Sequence, residues 1–127
     1  MERLRILHVE DNPADARLLR EALAEMSDVP YEMLHTRRLL TGLECLAEAA
    51  FDVIILDLGL PDAEGLRVIE RVRSQAAAVP IIVVTGRNDP QIAEHARAVG
   101  AIEYLIKGEG EHALIRAALR RLAHGTD

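Results

Sequence analysis

Four short stretches of the chain carry side chains able to do chemistry, and each directly follows an apolar, β-branched run: Glu10-Asp11, Asp57, Thr85-Gly86 and Lys107. Strands standing side by side in an open parallel sheet present the residues after their carboxyl ends along one edge, where such folds bind ligands. Three carboxylates brought together there repel one another and resist ionisation unless a cation neutralises them. Magnesium suits the cluster, because it takes hard oxygen ligands, keeps several waters and accepts two or three carboxylates with a backbone carbonyl. A lysine and a hydroxyl beside it would complete a site for a transferring phosphoryl group. The metal and Lys107 would offset charge on its oxygens, Thr85 would donate a hydrogen bond, and Asp57 would be the nucleophile.

The elements that must position these residues are legible as periodicity. Apolar runs over residues 5–9, 31–35, 53–56, 81–84 and 103–106 read as five strands. Helical spacing lies between and after them. One stripe is formed by Ala14, Leu18, Leu19, Ala22, Leu23 and Met26, a second by Leu39, Leu43, Leu46 and Ala50, and a third by Leu66, Ile69 and Val72. Residues 91–99 are weakly amphipathic, and Leu114, Ile115, Ala118, Leu119 and Leu122 share the last helical face. Asn12 before Pro13 and Asp89 before Pro90 mark two helix starts, each a capping side chain ahead of a proline at the first helical position. For the second helix the cap is Thr36 or Thr41: Glu44 three residues on favours Thr41, and Leu39-Leu40 favour the earlier start. Five βα units, with strands reading as buried on both faces, predict a doubly wound parallel sheet in an α/β domain.

The chain has 127 residues, 50% hydrophobic and 28% charged, which fits one domain over residues 1–127. With a net charge of −6, direct nucleic-acid binding through a broad basic face is not expected. No apolar run approaches the roughly 18 residues that span a bilayer, and the amino terminus has no signal-peptide pattern, so no membrane insertion is expected. Cys45 is the single cysteine, which precludes an internal disulfide and makes a reducing, cytoplasmic location the default. Among the basic residues only Lys107 is a lysine.

At these positions the sequence resembles the receiver domain of two-component response regulators, with the fold of the chemotaxis regulator. The segments that carry the resemblance are "ILHVEDNPADARLL", "DVIILDLGLPDAEGL", "PIIVVTG" and "GAIEYLIKG", and together they cover essentially the whole chain. The resemblance implies a flavodoxin-like sheet of order 2-1-3-4-5. It implies that Asp57 accepts a phosphoryl group from a histidine kinase or phosphotransfer protein. It further implies Mg²⁺ held by Asp11, Asp57 and the Gly59 carbonyl, with Glu10 acting mostly through water, and a switch made of Thr85 and Tyr104. Gly86, lacking a side chain, leaves the approach to Asp57 open. Such a domain is a bacterial signalling module, not an enzyme in the usual sense, although it promotes its own phosphorylation and dephosphorylation. It passes its signal to a downstream protein partner or a fused output domain. A homodimer through the fourth helix, fifth strand and fifth helix is left open. The glycine after Lys107 is the pattern of receivers often fused to sensor kinases or cyclic-di-GMP enzymes.

Two departures matter. The family usually carries a proline after the lysine, with a cis bond, whereas Gly108 stands here. A cis bond before a residue other than proline costs about 2.5 to 4 kcal/mol, so a trans bond and a rearranged loop are expected. Gly59 is smaller than the family's frequent residues, which predicts freer water access and a short-lived phospho-form. A rival reading, a phosphatase of the haloacid dehalogenase type, lacks the second aspartate it needs, since Leu58 and Gly59 follow Asp57. No GxxxxGK[ST] or GxGxxG follows the first strand, which removes the common nucleotide sites. The alternative that stays is a receiver-like interaction module independent of phosphorylation. His8, His35, His95, His112 and His124 show no ligand spacing and read as surface or strand-end residues. Cys45 reads as a packing residue, and Arg87, Arg37-Arg38 and Arg120-Arg121 as a solvated face.

Overall fold

Alternation with period two sorts the strand residues onto two faces, and helices cover both. A computed structural model describes residues 3–125. The elements in chain order are β1 (Leu4–Val9), α1 (Pro13–Ala24), β2 (Tyr31–Thr36), α2 (Leu39–Glu48), β3 (Val53–Leu56), β4 (Gly59–Leu60), β5 (Ala63–Glu64), α3 (Leu66–Gln75), β6 (Ile81–Thr85), α4 (Pro90–Ala98), β7 (Ala101–Ile106) and α5 (Glu111–His124). The main sheet is parallel in the order β2-β1-β3-β6-β7, which is the expected 2-1-3-4-5 once the small β4-β5 pair is set aside. That antiparallel pair was not visible as periodicity, because two residues per strand are too few to show one.

Leu7, Val9, Ile54, Leu56 and Val83 face α2, α3 and α4, where Leu39, Val68, Ile69 and Ala96 meet them. On the opposite face Ile6, Ile55 and Ile82 pack against Leu19 and Leu23 of α1 and Ile115 and Leu119 of α5. Each such side chain contributes about 1.5 to 3 kcal/mol by leaving water. The reading of strands buried on both faces holds for β1, β3 and β6 but fails at the edges. β2 is an edge strand and leaves Leu34 48% exposed. The apolar stripes are also narrower than the spacing suggested, since Leu18 and Leu114 are each 49% exposed.

Asn12 and Asp89 cap α1 and α4 as expected, each Oδ1 accepting two N–H groups of the first turn. For α2 the expectation of Thr36 or Thr41 is corrected. Arg38 occupies the cap position without a side-chain bond, and the carboxylate of Asp62, on the β4-β5 turn, accepts from Leu39 N–H and Leu40 N–H at 2.9 Å each. A cap that comes from 22 residues away leaves no local motif to read. It also ties α2 to the segment that follows Asp57. Gly42 of α2 lies so close to β1 that a Cβ there would meet Val9 Cγ2 at 3.0 Å.

Asp62→Ala should therefore lower unfolding free energy by about 1 kcal/mol, a typical capping loss, while Thr41→Ala changes it by less than about 0.5 kcal/mol. Urea denaturation of both variants checks this; a larger loss for Thr41→Ala would contradict the tertiary cap.

Candidate functional site

β1 and β3 stand side by side in the sheet, so the residues just past their ends are neighbours. Glu10 and Asp57 are both buried there, and Asp57 N–H is tied to the Val9 carbonyl at 3.0 Å. Oxygens of Glu10, Asp11 and Asp57 lie within 4.8 Å of one another. β6 ends on buried Thr85, and the Lys107 N–H donates to the Thr85 carbonyl at 2.8 Å, which sets the lysine at the same edge. All four sequence-selected stretches are thus brought together.

The Lys107 ammonium donates to Glu10 Oε1 at 2.8 Å, Asp15 Oδ2 at 2.8 Å and Asp57 Oδ2 at 3.2 Å. Asp15, in the first turn of α1, was missed by the sequence reading; its signal was an acidic residue one helical turn beyond the acidic edge. Burial, reinforced by the neighbouring Asp57, pushes the Glu10 carboxyl up to about 7 even with Lys107 beside it. Burial opposes the charge on Lys107, but its bonds to Asp15 and Glu10 and the charge of Asp57 outweigh that and hold its value raised. The cluster is left with more negative charge than one ammonium balances. That excess, carried on hard oxygens, fits a divalent cation such as Mg²⁺.

Asp57 Oδ1 accepts from Gly59 N–H at 3.1 Å, and a Cβ built on Gly59 would lie 4.0 Å from that oxygen. A Cβ on Gly86 would meet nothing within 4 Å. Asp57, Gly59, Thr85, Gly86, Tyr104 and Lys107 line one open cleft. Thr85 Oγ1 accepts from Arg87 N–H at 3.3 Å, and Tyr104 Oη donates to the Arg87 carbonyl at 3.2 Å, so both hold the β6-α4 loop by the same residue. All peptide bonds among the described residues are trans, including Lys107–Gly108. Gly108 takes φ 84°, which a proline ring fixed near −65° cannot adopt, so the loop is built around glycine. Its N–H is held by Glu111 Oε1 at 3.0 Å.

The family model for the response regulator receiver domain matches residues 6–119. The chain belongs to that family. This receiver is 42% identical over 119 residues to the KDP operon transcriptional regulatory protein KdpE of Escherichia coli (strain K12), covering 91% of this chain and 51% of that protein. It is 28% identical over 104 residues to a probable cyclic di-GMP phosphodiesterase of Vibrio cholerae, covering 80% of this chain and 23% of the other. The crystal structure of the phosphorylated cyanobacterial phytochrome response regulator RcpA matches with TM-score 0.78 and 27% identity, covering 99% of this chain and 97% of that one. The receiver spans about half the length of the KdpE protein, or less in the phosphodiesterase. Among the described residues no helix is long and apolar enough to cross a membrane.

One of the histidines read as surface or strand-end residues is a strand-end residue that is buried. His8, at the end of β1, is 4% exposed, with Nδ1 lacking any partner, and it borders a small cavity between α1 and α5. Burial, then His35 and Lys107, pull its value down from 6.5 to about 3. The folded protein keeps it neutral where the unfolded chain protonates, so this contribution to stability is lost as pH falls below about 6.5. Urea unfolding should show His8→Leu gaining over the parent as pH drops, by at most about 1.4 kcal/mol per pH unit. Glu10, raised from 4.5, slopes the opposite way as pH rises, and the difference between the two proteins cancels it. A pH-independent difference would rule out a buried neutral imidazole.

Proposed function

We propose that this receiver accepts a phosphoryl group on Asp57 from a histidine kinase or phosphotransfer protein, with Mg²⁺, and changes its interaction surface through Thr85 and Tyr104. The observation that carries the reading is the Asp57 carboxylate at the mouth of an open cleft, beside Lys107 and the carboxylates of Glu10 and Asp11. One Asp57 oxygen attacks the donor phosphorus; the new O–P bond forms as the donor's N–P bond breaks, and the freed imidazole keeps the electron pair. Asp11 and Asp57 would hold the metal with the Gly59 carbonyl, and Glu10 through water. When bound, the cation supplies positive charge against the phosphoryl oxygens. Lys107 offsets charge on the same oxygens, and the Thr85 hydroxyl, now engaged with Arg87, turns to donate to them.

Receiver domains are signalling domains, and this one would promote its own phosphorylation and dephosphorylation rather than turn over a released substrate. We take residues 1–127 as a single receiver unit in a cytoplasmic protein, with its output exerted by a protein partner or a fused domain. The V. cholerae relative, named a probable cyclic di-GMP phosphodiesterase, matches this chain over 23% of its own length, which leaves room for a further domain there. The net charge of −6 disfavours direct contact of this domain with nucleic acid. The surface of α4, β7 and α5 is the candidate dimer face.

Intact mass after incubation with acetyl phosphate should show one added phosphoryl group, present with Mg²⁺ and absent with chelator or in Asp57→Asn. If a phospho-kinase donor under rapid sampling also leaves the mass unchanged, the phosphorylation-independent interaction module takes its place.

The position of Gly59 bears on lifetime, because a long side chain there would overhang Asp57 Oδ1 and exclude water. Gly59→Met is expected to slow loss of the phosphoryl mass several-fold in a chase without donor. An unchanged decay would show that Gly59 does not control water access.

A further inference from the structure

We infer that Asp15 is a positioning residue for Lys107, the carboxylate that keeps the ammonium in the pocket once the other acidic groups are engaged. The inference rests on the phosphoacceptor reading above. Lys107 Nζ has three carboxylate partners, and the contacts to Glu10 and Asp15 are equally short at 2.8 Å, while that to Asp57 is 3.2 Å. Two of the three, Glu10 and Asp57, belong with Asp11 to the cluster whose oxygens lie within 4.8 Å of one another. A dication there competes with the ammonium for those oxygens, and phosphorylation consumes an oxygen of Asp57. Asp15 stands outside the cluster, so its contact is the one that neither event removes.

Asp15 is also well placed to hold a flexible side chain. It lies in the first turn of α1, whose Ala14 and Asp15 N–H groups both donate to Asn12 Oδ1, so its backbone is fixed. The positive end of the helix dipole favours its negative charge. A lysine has four rotatable carbons and a strongly hydrated head, and without a fixed partner it returns to solvent. With Asp15 engaged, one ammonium proton is committed to α1 and the other two remain for Asp57 or the oxygens it carries. Lys107 is 22% exposed at its side chain and Asp15 35%, so solvent is near enough to compete for the lysine.

Lys107 is the single lysine of the chain, so protein grown on ¹³C-lysine gives one Cε signal. With Mg²⁺ present, the two Hε protons should be resolved from each other in the parent, as in a held side chain. They should merge in Asp15→Asn and separate again in Asp15→Glu. The same three proteins, checked as folded by their amide spectra, should gain phosphoryl mass from acetyl phosphate at rates that fall about tenfold in Asp15→Asn and recover in Asp15→Glu, the effect of one charge-assisted hydrogen bond. Resolved Hε protons in Asp15→Asn, or an unchanged rate, would overturn the role of Asp15. A parent protein that gains no phosphoryl mass from acetyl phosphate or from a phospho-kinase donor would instead overturn the phosphoacceptor reading, whatever the lysine signal shows.

Discussion

The structure depends on a charge imbalance at one edge of its sheet, where Glu10, Asp15 and Asp57 share a single ammonium, that of Lys107, and Asp11 adds a further carboxylate beside Glu10 and Asp57. Nothing in folding alone favours such a grouping, because desolvated carboxylates oppose one another and Glu10 is pushed up to about 7 as a result. The rest of the chain keeps them together. β1 and β3 are the central pair, buried on both faces, and their ends cannot separate without opening the core. The Asn12 cap at one side and the Asp62 cap at the other fix the segments that leave those ends. A site that stores unbalanced negative charge is primed for a cation, and the cost of assembling it is carried by the apolar faces below.

Apart from that edge, polar side chains mostly serve as fasteners. Arg73 is the clearest: its guanidinium donates to the carbonyls of Ala76, Ala77 and Val79 after α3 and to those of Val99 and Gly100 before β7. It binds the carbonyls of the helix C-caps Ala76 and Val99 with those of three loop residues, and joins two loops at the end of the sheet opposite the site. Gly100 leaves the room it needs, since a Cβ there would come within 2.9 Å of the guanidinium. The division is physical: one end of the sheet is closed by hydrogen bonds, and the other is left open with charge.

Local signals made most of this legible. Pro13 after Asn12 and Pro90 after Asp89 announced two helices through the chemistry of capping, and the polar residues after four apolar runs announced the candidate site. What escaped was set by contacts distant in sequence. Asp62 caps a helix that begins 23 residues earlier, Asp15 reaches a lysine 92 residues away, and His8 is buried by α1 although its polarity reads as surface. The edge strands misled for a related reason. Tyr31, Met33 and Leu34 have strand propensity whether or not a helix covers them, and propensity carries no statement about coverage.

The same physics bears on how a change at Asp57 could travel. Arg87 is held at its N–H by Thr85 and at its carbonyl by Tyr104, through bonds of 3.3 and 3.2 Å, at the long end for such contacts. The Thr85 hydroxyl oxygen accepts from Arg87 N–H in its present rotamer, and a threonine side chain moves between few rotamers, so a change of rotamer that carries that oxygen toward Asp57 would surrender its hold on Arg87. The Tyr104 phenol would then be the remaining side-chain tether of the loop, and its half-buried ring already leans on the core beside α4. A loop held through Arg87 by two long bonds, one of them to a residue of the candidate site, is tied loosely enough to move when that residue turns. That is the condition under which a small chemical change at one residue shifts a surface some distance away.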